Sequence, residues 1–199
     1  MNDRGPRHRN LVSAKDTILI IVDCQQDAAL KGGKVLDAEY ADTVLGLVNK
    51  AKTFAIPVIA TTPRTEQDAN VPSAAIIDAI GESNVIECLS LNPWDDDAFR
   101  ERLRHAGRSR LVVAGQSSEV SMGFVVLSAL EEGYDVYVVK DASVGASQDH
   151  HDTVVERLVQ AGAIPVTSRQ IIFEWQRKSP NTSKPLDTQP PNKKKKKRP

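Results

Sequence analysis

Polar side chains with chemical potential follow apolar runs in this sequence. Asp23 comes directly after the run TILIIV, Glu87 follows a weaker run that begins at Val85, and Ser121 lies in the segment VAGQSSEVSMGF at residues 113–124. A carboxylate at the end of a buried strand projects into a partly desolvated edge, where its pKa rises and suits acid/base work. The plainer alternative for Asp23 is that it caps the next turn. Ser121 falls in the first turn of an apolar helix, where backbone N–H groups favour an anion or an oxyanion. Ser117 and Ser118 are candidates for the same oxyanion or pocket lining. Their alternative role is N-capping, completed by Glu119.

The elements that must position these residues alternate between strand-like and helix-like stretches. Residues 17–22 lack polar alternation, which predicts a central strand buried on both faces. Tyr40, Val44, Leu47, Val48 and Ala51 recur at helical spacing within residues 38–54, and Pro57 then opens a strand at 58–61. Residues 63–72 read as a loop, 73–80 as a short helix and 85–87 as a weak strand. Acidic residues 95–97 load a helix start, and Gly107 ends that helix. A strand is predicted at 110–114, an apolar helix at 119–132, a strand at 136–139, a helix at 149–161 and a strand at 164–167. The fold class this implies is α/β, a three-layer doubly wound and mainly parallel sheet of five to six strands flanked by helices. Ligands in such sheets sit beyond the carboxyl ends of the strands, which is where Asp23, Thr61, Thr62, Glu87 and residues 115–121 fall.

Length and composition agree with one domain plus tails. The chain has 199 residues, of which 40% are hydrophobic and 26% charged. The expected organisation is a flexible arm at 1–14, a domain at 15–176 and a disordered basic tail at 177–199. The tail carries nine basic residues against the single acid Asp187, and because the whole chain is formally neutral the remainder carries −8. Rich in Pro, Asn, Ser, Thr and Lys, the tail buries too little apolar surface to offset its ordering entropy. The run that opens at Lys193 and closes at Arg198 reads either as a solvated end or as a nuclear-import or nucleic-acid-binding patch, without aromatic residues for base stacking. No apolar run approaches the ~20 residues of a membrane span, and no signal-peptide stretch is evident. Two cysteines, Cys24 and Cys88, make neither a disulfide framework nor a zinc cluster and suit a reducing, intracellular compartment. His105, His150 and His151 show no ligand spacing, so no metal and no cofactor is expected.

Four blocks carry a more specific signal. VDCQQD begins at Val22, NPWDDDAF at Asn92, VVAGQSSEVSMGFVVLSALEEGYDVYVVKDAS at Val112, and AGAIPVTSRQIIFEWQR at Ala161. In order and spacing they resemble the isochorismatase-like cysteine hydrolase superfamily, nearest to its YcaC-type hydrolases, from about Lys15 to Arg177. The resemblance implies an aspartate general base at Asp23, a basic residue in the position of Glu87 and a cysteine nucleophile in the position of Ser121. Asp23 is retained, Glu87 reverses a charge, and Ser121 replaces a thiol with a hydroxyl. A serine needs a stronger base than a cysteine that is already partly thiolate, and a carboxylate in place of a cation removes anion stabilisation. By strand alternation Cys24 and Cys88 should point away from the faces of Asp23 and Glu87. Trp94 is a pocket-wall candidate.

Three functional expectations follow. The first is a degenerate hydrolase that keeps fold and cleft for a small-molecule ligand or for assembly, with a homo-oligomer implied by the family. The second is an active hydrolase of a small amide or enol ether that uses Asp23 with Glu87 or Ser121. The third is a nucleic-acid-associated protein acting through its tail.

Overall fold

In the computed structural model residues 11–23, 38–64 and 73–177 are described. Cys24 and the tail beyond Arg177, with the roles expected of them, lie outside the described residues. Strands β1 (Thr17–Val22), β2 (Val58–Pro63), β3 (Val85–Cys88), β4 (Arg110–Gly115), β5 (Asp135–Ser143) and β6 (Ile164–Val166) form one sheet, ordered β3-β2-β1-β4-β5-β6. Every pairing is parallel. The expected doubly wound sheet is therefore present, with six strands and no antiparallel member.

Helices α1 (Ala38–Thr53), α2 (Ala74–Ile80) and α6 (Ser168–Gln176) cover one face of the sheet, and α3 (Asp97–Ala106), α4 (Gly123–Glu131) and α5 (Gln148–Gln160) the other. Strand alternation divides the core between them. Leu19 and Ile21 of β1 pack with Val44, Leu47, Ile76 and Trp175, whereas Ile18, Ile20 and Val22 pack with Phe99, Leu103, Val125 and Leu158. All six residues of β1 are buried, which explains why this strand is continuously apolar instead of alternating. Helix starts use local side chains: the carboxylate of Asp96 accepts from Ala98 N at 2.9 Å, and the hydroxyl of Thr167 from Gln170 N at 3.2 Å. Gly107, at φ 60°, ends α3 in the left-handed conformation that a Cβ disfavours.

Besides strand and helix ends that shift by a few residues, three features differ from the sequence reading. Residues 119–132 do not form one regular helix. A π-helical turn, Ser118–Met122, precedes α4, and within it Met122 N bonds Ser117 O at 3.3 Å across five residues. Gly123 permits this turn, since a Cβ there would lie 2.8 Å from Ser118 O. Helix α6 follows the last strand where the sequence reading has no element, because Ile171, Ile172 and Trp175 face the core while the exposed Phe173 blurs the apolar period. At the other end, packed structure extends ahead of Lys15. Val12 is fully buried, its N–H donates to Glu174 Oε2 at 2.7 Å, and Leu11 O accepts from Arg110 Nη1 at 2.6 Å.

Among the described residues no helix is long and apolar enough to cross a membrane.

Two expected outcomes test this architecture. Gly115 has φ 137°, and a Cβ on it would overlap the backbone of Val22. Gly115→Ala should therefore cost about 3 kcal/mol or more in a urea melt, through strain and overpacking together. His151 is buried, and its ring nitrogens make no well-formed hydrogen bond, the backbone of Lys140 being a weak partner only. Burial holds its imidazolium below the usual histidine range, reinforced by the Lys140 charge and opposed by Asp152, Glu119 and the Lys140 backbone. The unfolded chain consequently binds the proton first as pH falls below about 6.5, so this part of the stability is complete above that pH and is lost on acidification. His151→Gln should flatten the stability–pH curve there, as read by thermal melts at pH 7 and pH 5.

Candidate active site at the switch point between β1 and β4

The sheet order reverses between β1 and β4, and the crevice beyond their carboxyl ends is where a doubly wound fold holds ligands. Asp23 follows β1 there. Its backbone is left-handed, at φ 53°, a conformation aspartate tolerates better than most residues, and its N–H donates to Thr61 Oγ1 at 3.2 Å. Only 5% of Asp23 is exposed. Its carboxyl is hydrogen-bonded by the hydroxyls of Ser121 and Ser117. Burial pushes its pKa up, and outweighs the lowering that the two hydroxyls exert.

The second half of the site comes from the link between β4 and α4. Gln116 N donates to Val22 O at 2.9 Å, which stitches the end of β4 to the end of β1. Ser117 follows at φ 54°, so the two residues flanking the crevice, Asp23 and Ser117, are both non-glycine positions in the left-handed region. Such conformations cost about 1–3 kcal/mol and persist where surrounding contacts impose them. The π-helical turn then places Ser121, itself buried, against Asp23.

Glu119 ties this turn to the loop after β5. Its Oε1 accepts from Ala146 N at 2.6 Å and lies 3.5 Å from His150 Nδ1, while Oε2 accepts from Ser118 Oγ at 3.3 Å. Gly145 passes so close that a Cβ would meet Ser118 Oγ at 2.5 Å. The serines accordingly do not act as ordinary helix caps: Ser117 makes no capping bond, and Ser118 bonds Glu119.

The structure thus brings Asp23, Ser117 and Ser121 together, with Ser118 buried beside them. Glu87 is elsewhere. It is exposed on the edge strand β3, on the face that Val85 shares with α1 and α2. Cys88 points away from Glu87, as alternation requires, and is 3% exposed on the face of Ile86 and the α3–α4 core. It was also expected to point away from Asp23, yet it lies within reach of that charge. Burial, then Asp96, then Asp23 push its thiol up to about 12. The left-handed backbone of Asp23 explains this, because it breaks strand alternation and turns the carboxyl toward Ser121. At neutral pH Cys88 is a protonated thiol and a poor nucleophile.

Trp94 is buried in the core between α3 and α4. Its Nε1–H donates to Glu132 Oε1 at 2.6 Å, and its ring meets Phe99 and Tyr134 edge-on at 5.7 and 5.8 Å. The sequence reading missed the tie made by Glu119, for which the nearest signal was an acid in the first turn of a predicted helix. Among the described residues, no three His, Cys, Asp or Glu side chains cluster as metal ligands.

Comparison with known proteins agrees with this geometry. The isochorismatase domain matches residues 17–170. The probable hydrolase YcaC of Escherichia coli (strain K12) is 32% identical over 150 residues, spanning 74% of this chain and 72% of that protein. Two solved structures superpose with TM-score 0.78. YcaC from Pseudomonas aeruginosa, with hexane-2,5-diol and covalent acrylamide, is 27% identical over 87% of this chain and 86% of its own. The E. coli YcaC gene product, described as an octameric hydrolase of unknown specificity, is 28% identical over 87% and 85%. With a switch-point aspartate, a strand–turn–helix that delivers residue 121 to it and a match across most of its length, the chain belongs to the isochorismatase family.

Proposed function

We propose that this chain is an isochorismatase-family protein in which thiol hydrolysis has been lost and the Asp23 crevice serves small-molecule binding within a homo-oligomer. The observation that carries this reading is the pairing of Ser121 with a buried carboxyl. In the family resemblance a cysteine occupies that position, and a thiolate beside a cation is the attacking group. Here residue 121 offers a hydroxyl bonded to Asp23, and the position that would supply the cation holds the exposed Glu87. A serine hydroxyl attacks only when a strong base removes its proton, and Asp23 is a single carboxylate with no imidazole between the two. Assembly is supported by the octameric E. coli relative and by Leu89 and Leu91, exposed by 76% and 68% just beyond the edge strand.

A second reading rests on the raised proton affinity of Asp23. A carboxyl that holds its proton more tightly than usual can act as a general acid toward an enol ether or a small amide, without a nucleophilic cysteine.

Acrylamide tests the loss of the nucleophile and turnover separates the two readings, since the Pseudomonas relative carries acrylamide covalently. Peptide mapping should find residue 121 unmodified in the native chain, and alkylated in Ser121→Cys combined with Glu87→Arg. Turnover of an amide or enol ether by the native chain, abolished in Asp23→Asn, would instead establish the hydrolase reading. Sedimentation should show an oligomer, and a monomer at micromolar concentration would remove assembly from the proposal.

The raised pKa of Asp23 also has a stability consequence. The folded chain holds this proton more tightly than the unfolded one, so the contribution is complete below the usual aspartate value near 3.8 and is lost as pH rises through the folded value. At pH 7 the charge is a burden on the fold. Asp23→Asn should raise Tm at neutral pH, by about 2–4 °C for each kcal/mol recovered in a domain of this size, and by less at pH 4.

A further inference from the structure

The opposite end of the sheet carries a second feature. A cavity of about 350 Å3 opens between the start of β2, the last turns of α1 and α2, and α3. Its floor is apolar, with Ile56, Ile59 and Ile80 buried and Pro57 and Ala106 completing the wall. Its polar rim consists of Lys52, Asn84, Arg102 and His105, and no acidic residue lines it. In a chain whose body carries a net negative charge, a rim with Lys52 and Arg102 and no acid over an apolar floor is a local reversal.

Arg102 is already held in place. Its Nη1 donates to Ser83 O at 3.0 Å and to Asn84 Oδ1 at 3.2 Å, which uses two of its five N–H donors and leaves those on Nε and Nη2 for a ligand. The carbonyl ends of α1, α2 and α3 point to this end of the sheet, each equivalent to about half a negative charge at most. Lys52 and Arg102 outweigh that sum.

We infer that this cavity binds a small organic anion with an apolar body: a carboxylate or sulfonate whose charged end meets Arg102 and Lys52 while its hydrocarbon part rests on Ile59, Ile80 and Ala106. The volume lies at the low end for small-molecule sites, about 300–1,000 Å3, which sets the ligand near the size of a substituted aromatic acid. The site is independent of Asp23, which lies beyond the other ends of the strands.

The test uses the full chain and the fluorescent probe 1-anilinonaphthalene-8-sulfonate, with uncharged N-phenyl-1-naphthylamine as its comparison. The sulfonate should bind once per chain, and about tenfold or more tightly than the neutral dye. Arg102→Gln should weaken it by about tenfold or more, and Ala106→Trp, which fills the cavity, should abolish it. Asp23→Asn should leave binding unchanged, which separates this site from the switch-point crevice. Equal binding of both dyes, unaltered binding in Arg102→Gln and Ala106→Trp, or no binding up to about 1 mM would each overturn the inference. Should Ala106→Trp fail to give a native circular dichroism spectrum, Arg102→Gln, altered at an exposed side chain, decides alone.

Discussion

At the switch point, β1 and β4 run so close together that Gly115 has no room for a Cβ against Val22, and Gln116 N bonds back to Val22 O at 2.9 Å. That contact sets the separation of the two chain segments from which the site is built. Asp23 leaves one strand and Ser117 leaves the other, and both adopt the left-handed backbone that lets the chain turn sharply away from the sheet. The π-helical turn follows from the same crowding. Ser117 and Ser121 are drawn to the Asp23 carboxyl, Ser118 to Glu119, and Gly123 supplies the clearance for a wider turn.

Within that frame the balance of forces on Asp23 is one-sided. Two hydroxyls stabilise its charged form, but neither brings a formal charge, and removal of the carboxyl from water outweighs them. The group is consequently a better proton holder than an exposed aspartate. Cys88 responds in the same direction, because both its burial and the acids near it disfavour a thiolate. The described part of the crevice thus favours protonated, uncharged groups, an environment unlike the one a reactive thiolate requires. The serine at position 121 suits those surroundings, since a hydroxyl stays neutral in them.

The two ends of the sheet differ in character. Beyond the carboxyl ends lie the buried Asp23 and several buried hydroxyls, while the amino ends are gathered by arginines. Arg108 donates to the carbonyls of Ala14 and Thr17 at 2.8 Å and of Ala55 at 3.1 Å, and Arg110 to Leu11 O. Carbonyls left over at helix ends and strand starts need donors, and guanidinium groups supply several from one side chain. The basic rim around Arg102 belongs to this end, and its apolar floor distinguishes it from a purely structural clamp.

Much of the architecture was legible in the residues alone. The continuous apolar run at residues 17–22 specifies a strand buried on both faces, because only a central parallel strand needs no polar side. Asp23 and Ser121 were each legible as residues that follow strands, and the family resemblance paired them; the strand order that makes β1 and β4 neighbours came from the fold. The sequence could not decide which way the carboxyl of Asp23 turns, since alternation predicts direction only while the backbone stays extended, and at φ 53° it does not. For the same reason the neighbourhood of Cys88 and the separation of Glu87 from Asp23 emerged only from the folded chain. The π-helical turn was equally hidden: its hydrogen bonds depend on side chains and a glycine that come into register only after β1, β4 and β5 have packed.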